Sequence, residues 1–433
     1  MKVCFFTLGC KVNQQETSAM MNIFEKGGYT VVNDEEPADV YVVNSCTVTL
    51  SGDRKSIRWI RRAKRMNPDA VVVLCGCMPQ AYPQKAIDVE QADIIIGTSG
   101  KNNVLDMVNK FFENHERYIH IPQHVKGEKF EEFAGEVDRL HTRAFLKIQD
   151  GCSRRCAYCI ISYARGPVRS RPVENIVAEA RKMAEAGQHE IVLTGVNLSC
   201  YGQDLGNNLC DAIEAVARID AVKRIRLSSL EMDMFTDDML VRMSKVKKLC
   251  PHFHLCLQSG CDKTLKRMGR LYDRQFYTDV MNRMRELFYR PTFTTDVIVG
   301  FPGETEEDFL DSLAFVQKCK FVRVHAFPYS QRPGTVAADM PQQLENAVKQ
   351  SRNRTMIYKS EQTRDRVYAE YIGFEDDALL EAKNAEGYFS AYTSRYIPVL
   401  VKDMGYHSGD IVRVRLTGIE NGKMSCEAVD TAD

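Results

Sequence analysis

Short apolar runs alternate with helix-length amphipathic segments along the first hundred residues. Residues 3–8, 39–43, 70–74 and 92–96 are nearly continuous apolar stretches, the length of strands buried on both faces. Between them lie residues 14–26, 53–66 and 103–112, which carry helical periodicity; the first of these stops at the Gly27-Gly28 pair. This order predicts a parallel sheet flanked by helices. Residues 115–139 are charged, contain Pro122 and show no period, and read as a linker or a return strand.

From residue 143 the rhythm resumes on a larger scale. Strands are predicted at 145–149, 190–193, 224–227, 253–257, 294–299 and 321–327. Helices are predicted at 173–185, 209–219, 236–246, 273–290 and 306–317, with a last one from 342 to about 364. Six strand–helix units make a barrel or an open part-barrel with its site at the C-terminal strand ends. Beyond residue 366, short runs at 367–372, 378–383, 396–401, 410–417 and 424–429 alternate with glycines and predict a small β-barrel. The expected architecture is therefore α/β: an N-terminal parallel-sheet domain over 1–138, a (β/α)6 part-barrel over 139–365, and a small β-barrel over 366–433.

Composition narrows the setting. Apolar residues make up 44% of the 433 and charged residues 27%, as expected of a soluble chain of two or three domains. No apolar run approaches a membrane span, and the first residues lead straight into polar sequence, so the expectation is a cytoplasmic protein with no membrane partner. Fifteen cysteines, an odd number, argue for reduced thiols and metal ligation over a disulfide framework. Formal net charge is zero, so a nucleic-acid partner must be met by local basic patches.

The densest chemistry is Cys152-Ser-Arg-Arg-Cys156-Ala-Tyr-Cys159, a CxxxCxxC loop directly after the predicted strand at 145–149. Three thiolates would leave one iron of a [4Fe–4S] cluster open for a substrate. A zinc site or buried free thiols are the alternatives, although zinc knuckles bring a second CxxC or paired histidines. In the N-terminal domain Cys10, Cys46 and Cys77 each follow a strand, and strand ends of one parallel sheet face one crevice. Cys4 and Cys75 lie inside apolar runs and read as core. No GxGxxG follows the first strand, which argues against dinucleotide binding.

Two basic runs start beside these loops. Arg154, Arg155, Arg165, Arg169 and Arg171 crowd the CxxxCxxC loop, and Lys55, Arg58, Arg61, Arg62, Lys64 and Arg65 line the helix after Cys46. Either a solvated helix face or phosphate contact would account for such runs; their position favours RNA. Residues 366–433 hold 7 Lys/Arg against 12 Asp/Glu, so that domain grips RNA only if its basic residues share a face.

Further motifs complete a family pattern. They include Thr7-Leu-Gly-Cys10-Lys-Val-Asn13-Gln with Glu16-Thr17, Asn44-Ser-Cys46-Thr-Val, and Gly76-Cys77-Met-Pro-Gln80. Others are Leu193-Thr-Gly-Val-Asn197, Leu227-Ser-Ser-Leu-Glu231, Thr295-Asp-Val-Ile-Val-Gly-Phe-Pro-Gly-Glu304 and Phe327-Pro-Tyr-Ser-Gln-Arg-Pro-Gly-Thr335. Through all three parts the chain resembles the radical S-adenosylmethionine (SAM) methylthiotransferases, with their N-terminal methylthiotransferase domain, radical SAM barrel and C-terminal TRAM domain. The opening motif is most similar to the branch acting on N6-threonylcarbamoyladenosine at position 37 of the tRNA anticodon loop. The isopentenyladenosine branch typically has Gly-Cys-Gln-Met-Asn there, and the ribosomal-protein branch Gly-Cys-Pro-Lys-Asn. Ser162 and Met232 stand where the family usually has proline, and neither replaces a chemical group.

The resemblance implies two [4Fe–4S] clusters, one on Cys152, Cys156 and Cys159 and an auxiliary one on Cys10, Cys46 and Cys77. It implies SAM at the open iron of the first, cleaved to a radical that permits sulfur insertion at adenosine C2, and a second SAM for the methyl group. SAM contacts are expected at Tyr158, Thr194, Gly195, Ser228, Glu231, Gln258, Asp296, Ile298 and Gly300. A reducing partner such as flavodoxin or ferredoxin and a sulfur source are expected too. The alternatives are a related substrate (isopentenyladenosine tRNA or a ribosomal protein) or a metal-stabilised RNA-binding protein without catalysis.

Overall fold

A computed structural model describes residues 1–133, 142–420 and 422–429; the expected boundary at 138/139 lies outside the described residues. The N-terminal sheet contains β1 (Lys2–Thr7), β2 (Thr30–Val32), β3 (Val40–Ser45), β4 (Val71–Gly76), β5 (Ile94–Ile96) and β6 (Tyr118–His120). All six run parallel in the order β2-β1-β3-β4-β5-β6, so residues 118–120 make the return strand. Helices α1 (Lys11–Lys26), α2 (Leu50–Met66), α3 (Cys77–Ala81), α4 (Pro83–Ile87) and α5 (Val104–Asn114) lie between the strands. The apolar runs are continuous because both faces are covered. Val40, Val42, Val71 and Val73 pack with Met20 and Phe24 on one side, and Tyr41, Val43, Val72 and Leu74 with Ile60 and Ala63 on the other.

The central unit contains β7 (Ala144–Asp150), β8 (Arg169–Ser170), β9 (Glu190–Gly195), β10 (Arg224–Leu227), β11 (His252–His254), β12 (Thr292–Val299) and β13 (Arg323–Pro328). Its helices are α6 (Ile161–Arg165), α7 (Val173–Glu185), α8 (Leu209–Ala217), α9 (Asp237–Ser244), α10 (Asp262–Arg267), α11 (Arg274–Leu287), α12 (Glu306–Cys319) and α13 (Asn346–Ala369). Six parallel strands, β7-β9-β10 and β11-β12-β13, form an arc joined by bridges at Ile225–Leu249 and Leu230–Leu255. Among the described residues β13 does not pair with β7, so the arc is a part-barrel. Leu146, Ile148, Ile191, Leu193, Phe253 and Val297 pack outward under the helices. By the two-residue strand period, Lys147, Thr194, Arg226, His254 and Asp296 face the lumen. Helix α1 of the first unit packs against β7 and β9 and fills part of that lumen. The ladder of β11 ends at His254, short of the expected 257.

The last unit contains β14 (Glu375–Lys383), β15 (Tyr388–Thr393), β16 (Pro398–Lys402), β17 (Ile411–Glu420) and β18 (Lys423–Ala428), closed in the order β14-β15-β16-β18-β17. The strand expected at 367–372 does not form. Helix α13 continues to Ala369, and its buried Val367 and Tyr368 pack into the core of the small barrel. Strand β15 was not anticipated by the periodicity.

The loop after β15 plugs the N-terminal end of the part-barrel. Arg226 donates to the carbonyls of Ser394 (3.1 Å) and Thr393 (3.2 Å), and Thr292 Oγ1 donates to that of Arg395 (2.5 Å). Arg395 returns bonds to the carbonyls of Arg290 and Tyr289, both at 2.9 Å. The Tyr396 ring stacks on His252 with centroids 4.6 Å apart.

Candidate functional site

The strand-end cysteines of the N-terminal sheet converge. Cys10 is the N-cap of α1, Cys46 follows β3, and Cys77 opens α3 at the end of β4. Gly9 is held at φ 106°, and a Cβ there would lie 2.7 Å from Cys46 Cβ and 2.9 Å from its Sγ, so glycine lets the two loops touch. Burial pushes Cys46 up to about 12, and charge on Cys77 and Cys10 adds to the shift, which places the three sulfurs in one field. Cys75 faces the sheet core, as its apolar run implies.

Arg165 joins this set to the second one. Its Nε donates to Cys77 Sγ at 3.4 Å, its Nη2 to Asn13 Oδ1 at 2.6 Å, and its Nη1 to Glu16 Oε1 at 2.5 Å and Asp150 Oδ2 at 3.2 Å. Glu16 also pairs with Lys101 (2.5 Å) and Lys147 (2.8 Å), and Lys147 with Asp150 (2.6 Å). Burial alone would raise the Glu16 carboxyl, yet Arg165, Lys101 and Lys147 hold it well below the usual range. This network spans three motifs of the N-terminal domain and the strand leading into the CxxxCxxC loop.

That loop lies at the C-terminal end of β7, as the barrel rule requires. Gly151 turns it at φ 74°, where a Cβ would lie 1.8 Å from the Pro167 carbonyl. Cys152 Sγ accepts from Asn197 Nδ2 at 3.6 Å, Cys159 Sγ from the Ile161 amide at 3.4 Å, and Cys156 Sγ from Arg270 Nη1 at 3.3 Å. Arg270 also pairs with Glu231 and donates to Tyr158 Oη at 3.5 Å. Burial pushes Cys152 up and Cys159 up to about 12. Metal ligation ionises cysteine thiols, so a cluster bound here would reverse that shift.

Among the described residues, His254, Cys256 and Asp296 form a group whose ligand atoms all lie within 4.8 Å of one another. The His254 group is itself accounted for: His254 Nε2 lies 3.2 Å from Asp296 Oδ2, and burial keeps the Cys256 thiol protonated.

The positions expected to hold SAM line the same mouth. Thr194 and Gly195 end β9, Ser228 follows β10, Gln258 follows β11, and Asp296, Ile298 and Gly300 lie at the end of β12. Ser228 Oγ and Asn197 Oδ1 are buried with no hydrogen-bond partner among the described residues, which suits a polar ligand there. Gln258 sits at φ 67°, a conformation costly for a side-chain-bearing residue, and its backbone bonds to Asp296 and Ile298. Glu231 is turned to Arg270, and Tyr158 Oη, beside it, is pushed well above its usual range by burial. The Gly300 amide donates to Glu304 Oε2 at 3.0 Å, so the loop is capped locally.

The arginines proposed for RNA divide. Arg165, Arg169 and Arg171 are not at the surface: they are at most 6% exposed and paired inside the protein. Arg169 pairs with Glu128 and Asp150, and Arg171 with Glu132 and Glu179. Clustered arginines next to a loop look alike in sequence whether they face phosphates or distant carboxylates, and here the carboxylates win. Arg154 is tied to Asp233, and Arg62 is held by Trp59 and Asp34. Arg155 and Arg58 are exposed. Arg155 borders a groove of about 1690 Å³ that passes Cys152, Ser153 and Tyr163; Arg58 lines one of about 810 Å³ with Arg54, Arg61, Lys64 and Arg65. On the last barrel Arg413 and Arg415 pair with Glu375.

Sequence reasoning missed Arg270, Lys101 and Arg332. No motif marks Arg270. Arg332, inside a quoted motif, is buried and donates to Thr47 Oγ1 (2.5 Å) and Asp53 Oδ2 (2.9 Å), locking the part-barrel to the Cys46 loop.

A three-cysteine loop at the strand ends of an open (β/α)6 arc, with a second set of strand-end cysteines in the neighbouring domain, is the pattern of a radical SAM protein. Residues 2–97 match the Uncharacterized protein family UPF0004, and residues 146–316 match the Radical SAM superfamily. The chain is 38% identical to the threonylcarbamoyladenosine tRNA methylthiotransferase MtaB of Bacillus subtilis (strain 168), over 96% of this chain and 93% of that protein. It is 36% identical to the protein of that name from Thermotoga maritima, over 98% and 96%. The tRNA-2-methylthio-N(6)-dimethylallyladenosine synthase of Pelotomaculum thermopropionicum is 33% identical over 89% and 88%. A solved structure of the radical S-adenosylmethionine methyltransferase TsrM from Kitasatospora setae shares the fold at 14% identity and a TM-score of 0.59, covering 78% of this chain and 77% of that one. The chain belongs to the radical SAM methylthiotransferase family.

Proposed function

We propose that this protein is a tRNA methylthiotransferase acting on N6-threonylcarbamoyladenosine at position 37, inserting sulfur at C2 and methylating it. The observation that carries the reading is the second set of strand-end cysteines, Cys10, Cys46 and Cys77, which Arg165 ties through Cys77 to the segment directly after Cys152, Cys156 and Cys159. Full-length likeness to relatives of that named activity supports the choice of substrate. An aromatic C2–H bond has no acidic proton and no leaving group, so its replacement needs a radical, and SAM on an iron–sulfur cluster supplies one when bound. The chain's own residues do the rest. The two triads hold clusters; Thr194, Gly195, Ser228, Gln258 and the Asp296–Gly300 edge orient SAM; Arg155 and the Arg58 groove meet tRNA phosphates. Arg270, through Cys156 and Glu231, fixes the loop against the SAM side.

A one-electron donor such as flavodoxin or ferredoxin and a sulfur source complete the cycle, and the cytoplasm is the fitting location. No helix among the described residues is long and apolar enough to cross a membrane.

The test is nucleoside mass analysis of tRNA from a deletion strain. Loss of the 2-methylthio threonylcarbamoyl nucleoside is expected; its persistence, with loss of the dimethylallyl product instead, favours the substrate of the 33%-identical relative. Anaerobically purified protein should carry about eight irons per chain, and about four when Cys77 is replaced by serine.

A further inference from the structure

Cys10 and Lys11 are consecutive, yet they serve different surroundings. The Cys10 thiol faces Cys46 and Cys77, while Lys11 reaches into the barrel lumen, its Nζ 5.9 Å from the Phe145 ring centroid. Its electrostatic neighbours are Tyr396, Arg143, Arg226 and Glu190 at the lumen floor, and it acts on Asp296 and His325 across the lumen. Two of the carboxylates nearby, Glu190 and Glu381, already have a closer cation. Glu190 binds Arg224 and Arg226, Glu381 binds Arg143, and Asp296 lies against His254. Lys11 itself has no hydrogen bond or ion pair among the described residues. The floor therefore holds Lys11, Arg143, Arg224 and Arg226 against Glu190 and Glu381. The Tyr396 phenol registers this surplus: burial would raise it, but Arg143 and Lys11 pull it below its ordinary value.

Lys11 is partly buried over the Phe145 ring, and an ammonium so placed is better satisfied when an anion meets it. We propose that Lys11 is the counter-ion for a carboxylate of the substrate, the threonyl carboxylate on N6 of the adenine. This rests on the function proposed above. In adenine, C2 and C6 flank N1, so a base with C2 presented at Cys10 and its cluster partners directs its N6 substituent away along the same edge. Lys11 directly follows Cys10 in the chain and lies beside Phe145 on the lumen side. A neutral dimethylallyl group would leave the ammonium unpaired, so this one side chain favours the anionic nucleoside over the apolar one.

SAM also carries a carboxylate, and the test separates the two sources. Reconstituted protein without reductant is titrated with anticodon stem-loops bearing the threonylcarbamoyl group, its methyl ester, or the dimethylallyl group. SAM binding is measured in parallel by equilibrium dialysis. The native protein should bind the free acid about tenfold or more tighter than the ester, which removes the charge and adds one methyl group. Lys11→Met should bring the two within about twofold while Lys11→Arg keeps the preference, with iron content and SAM affinity unchanged. Equal binding of acid and ester by the native protein overturns the inference, as does a Lys11→Met variant that still prefers the acid. Weakened SAM binding with an intact stem-loop preference assigns the lysine to SAM and overturns it as well. A native protein that prefers the dimethylallyl stem-loop instead overturns the substrate reading itself.

Discussion

Two arginines give each cysteine triad one charged donor: Arg165 to Cys77 and Arg270 to Cys156. Hydrogen bonds to cluster sulfurs favour the reduced, more negative state and raise the potential. Arg165→Gln should therefore lower the midpoint potential of the cluster on Cys10, Cys46 and Cys77 and leave the other unchanged; Arg270→Gln should do the reverse. Redox titration followed by electron paramagnetic resonance resolves the two. Arg165→Gln also removes a buried partner of Glu16 and should cost about 3–5 kcal/mol of stability in denaturant unfolding. Cys152, Cys156 and Cys159 stand out in the sequence because their spacing is a local property of one loop, whereas Cys10, Cys46 and Cys77 lie in three separate loops and were grouped through the family motifs. The roles of Arg165, Arg169 and Arg171 were not legible, because Glu16, Glu128 and Glu132 lie far away in sequence and only folding brings them together.

Among the elements, the strands and helices of the two sheet domains were legible wherever burial imposes a period. Helix α12 shows the local code well: Thr305 caps it by accepting from the Asp308 amide at 3.1 Å, and Asp308 returns a bond at 3.2 Å. Thr305→Ala should destabilise the protein by about 1 kcal/mol in thermal or denaturant unfolding, with SAM affinity unchanged. The expected strand at 367–372 failed because Val367, Tyr368 and Tyr371 are apolar for a different reason. They close the small barrel from the end of a helix, and a run of six residues cannot distinguish that from a strand. Strand β15 escaped notice because Tyr388–Thr393 mixes serine and tyrosine with few aliphatic residues.

Across the whole molecule, ion pairs join the units, Glu16 to Arg165 and Lys147, Asp53 to Arg332 and Glu381 to Arg143, while Asp150 and Glu190 are paired within the part-barrel. Glu16, Asp150 and Glu190 are all held below their ordinary values: burial opposes this, but Arg165 and Lys101, Lys147 and Arg165, and Arg226 and Arg224 respectively prevail. A carboxylate with a depressed folded-state pKa contributes stability that is complete above its unfolded value and is lost as pH falls toward the folded one. The ordinary values are 4.5 for the glutamates and 3.8 for Asp150, so the contribution of these three carboxylates should be level above about pH 5 and fall steadily below it. Melting temperature against pH checks this, and Glu16→Gln should flatten the acid limb. None of these inter-unit pairs is visible in sequence, since each joins segments that no local pattern relates.

The plug formed by Ser394, Arg395 and Tyr396 has a kinetic corollary. With the strand N-terminal end stopped, the lumen is a cul-de-sac, and a nucleoside that enters must back out through the mouth it came in by. Modified and unmodified tRNA then contend for a single doorway, so methylthiolated product should inhibit turnover competitively against its own precursor.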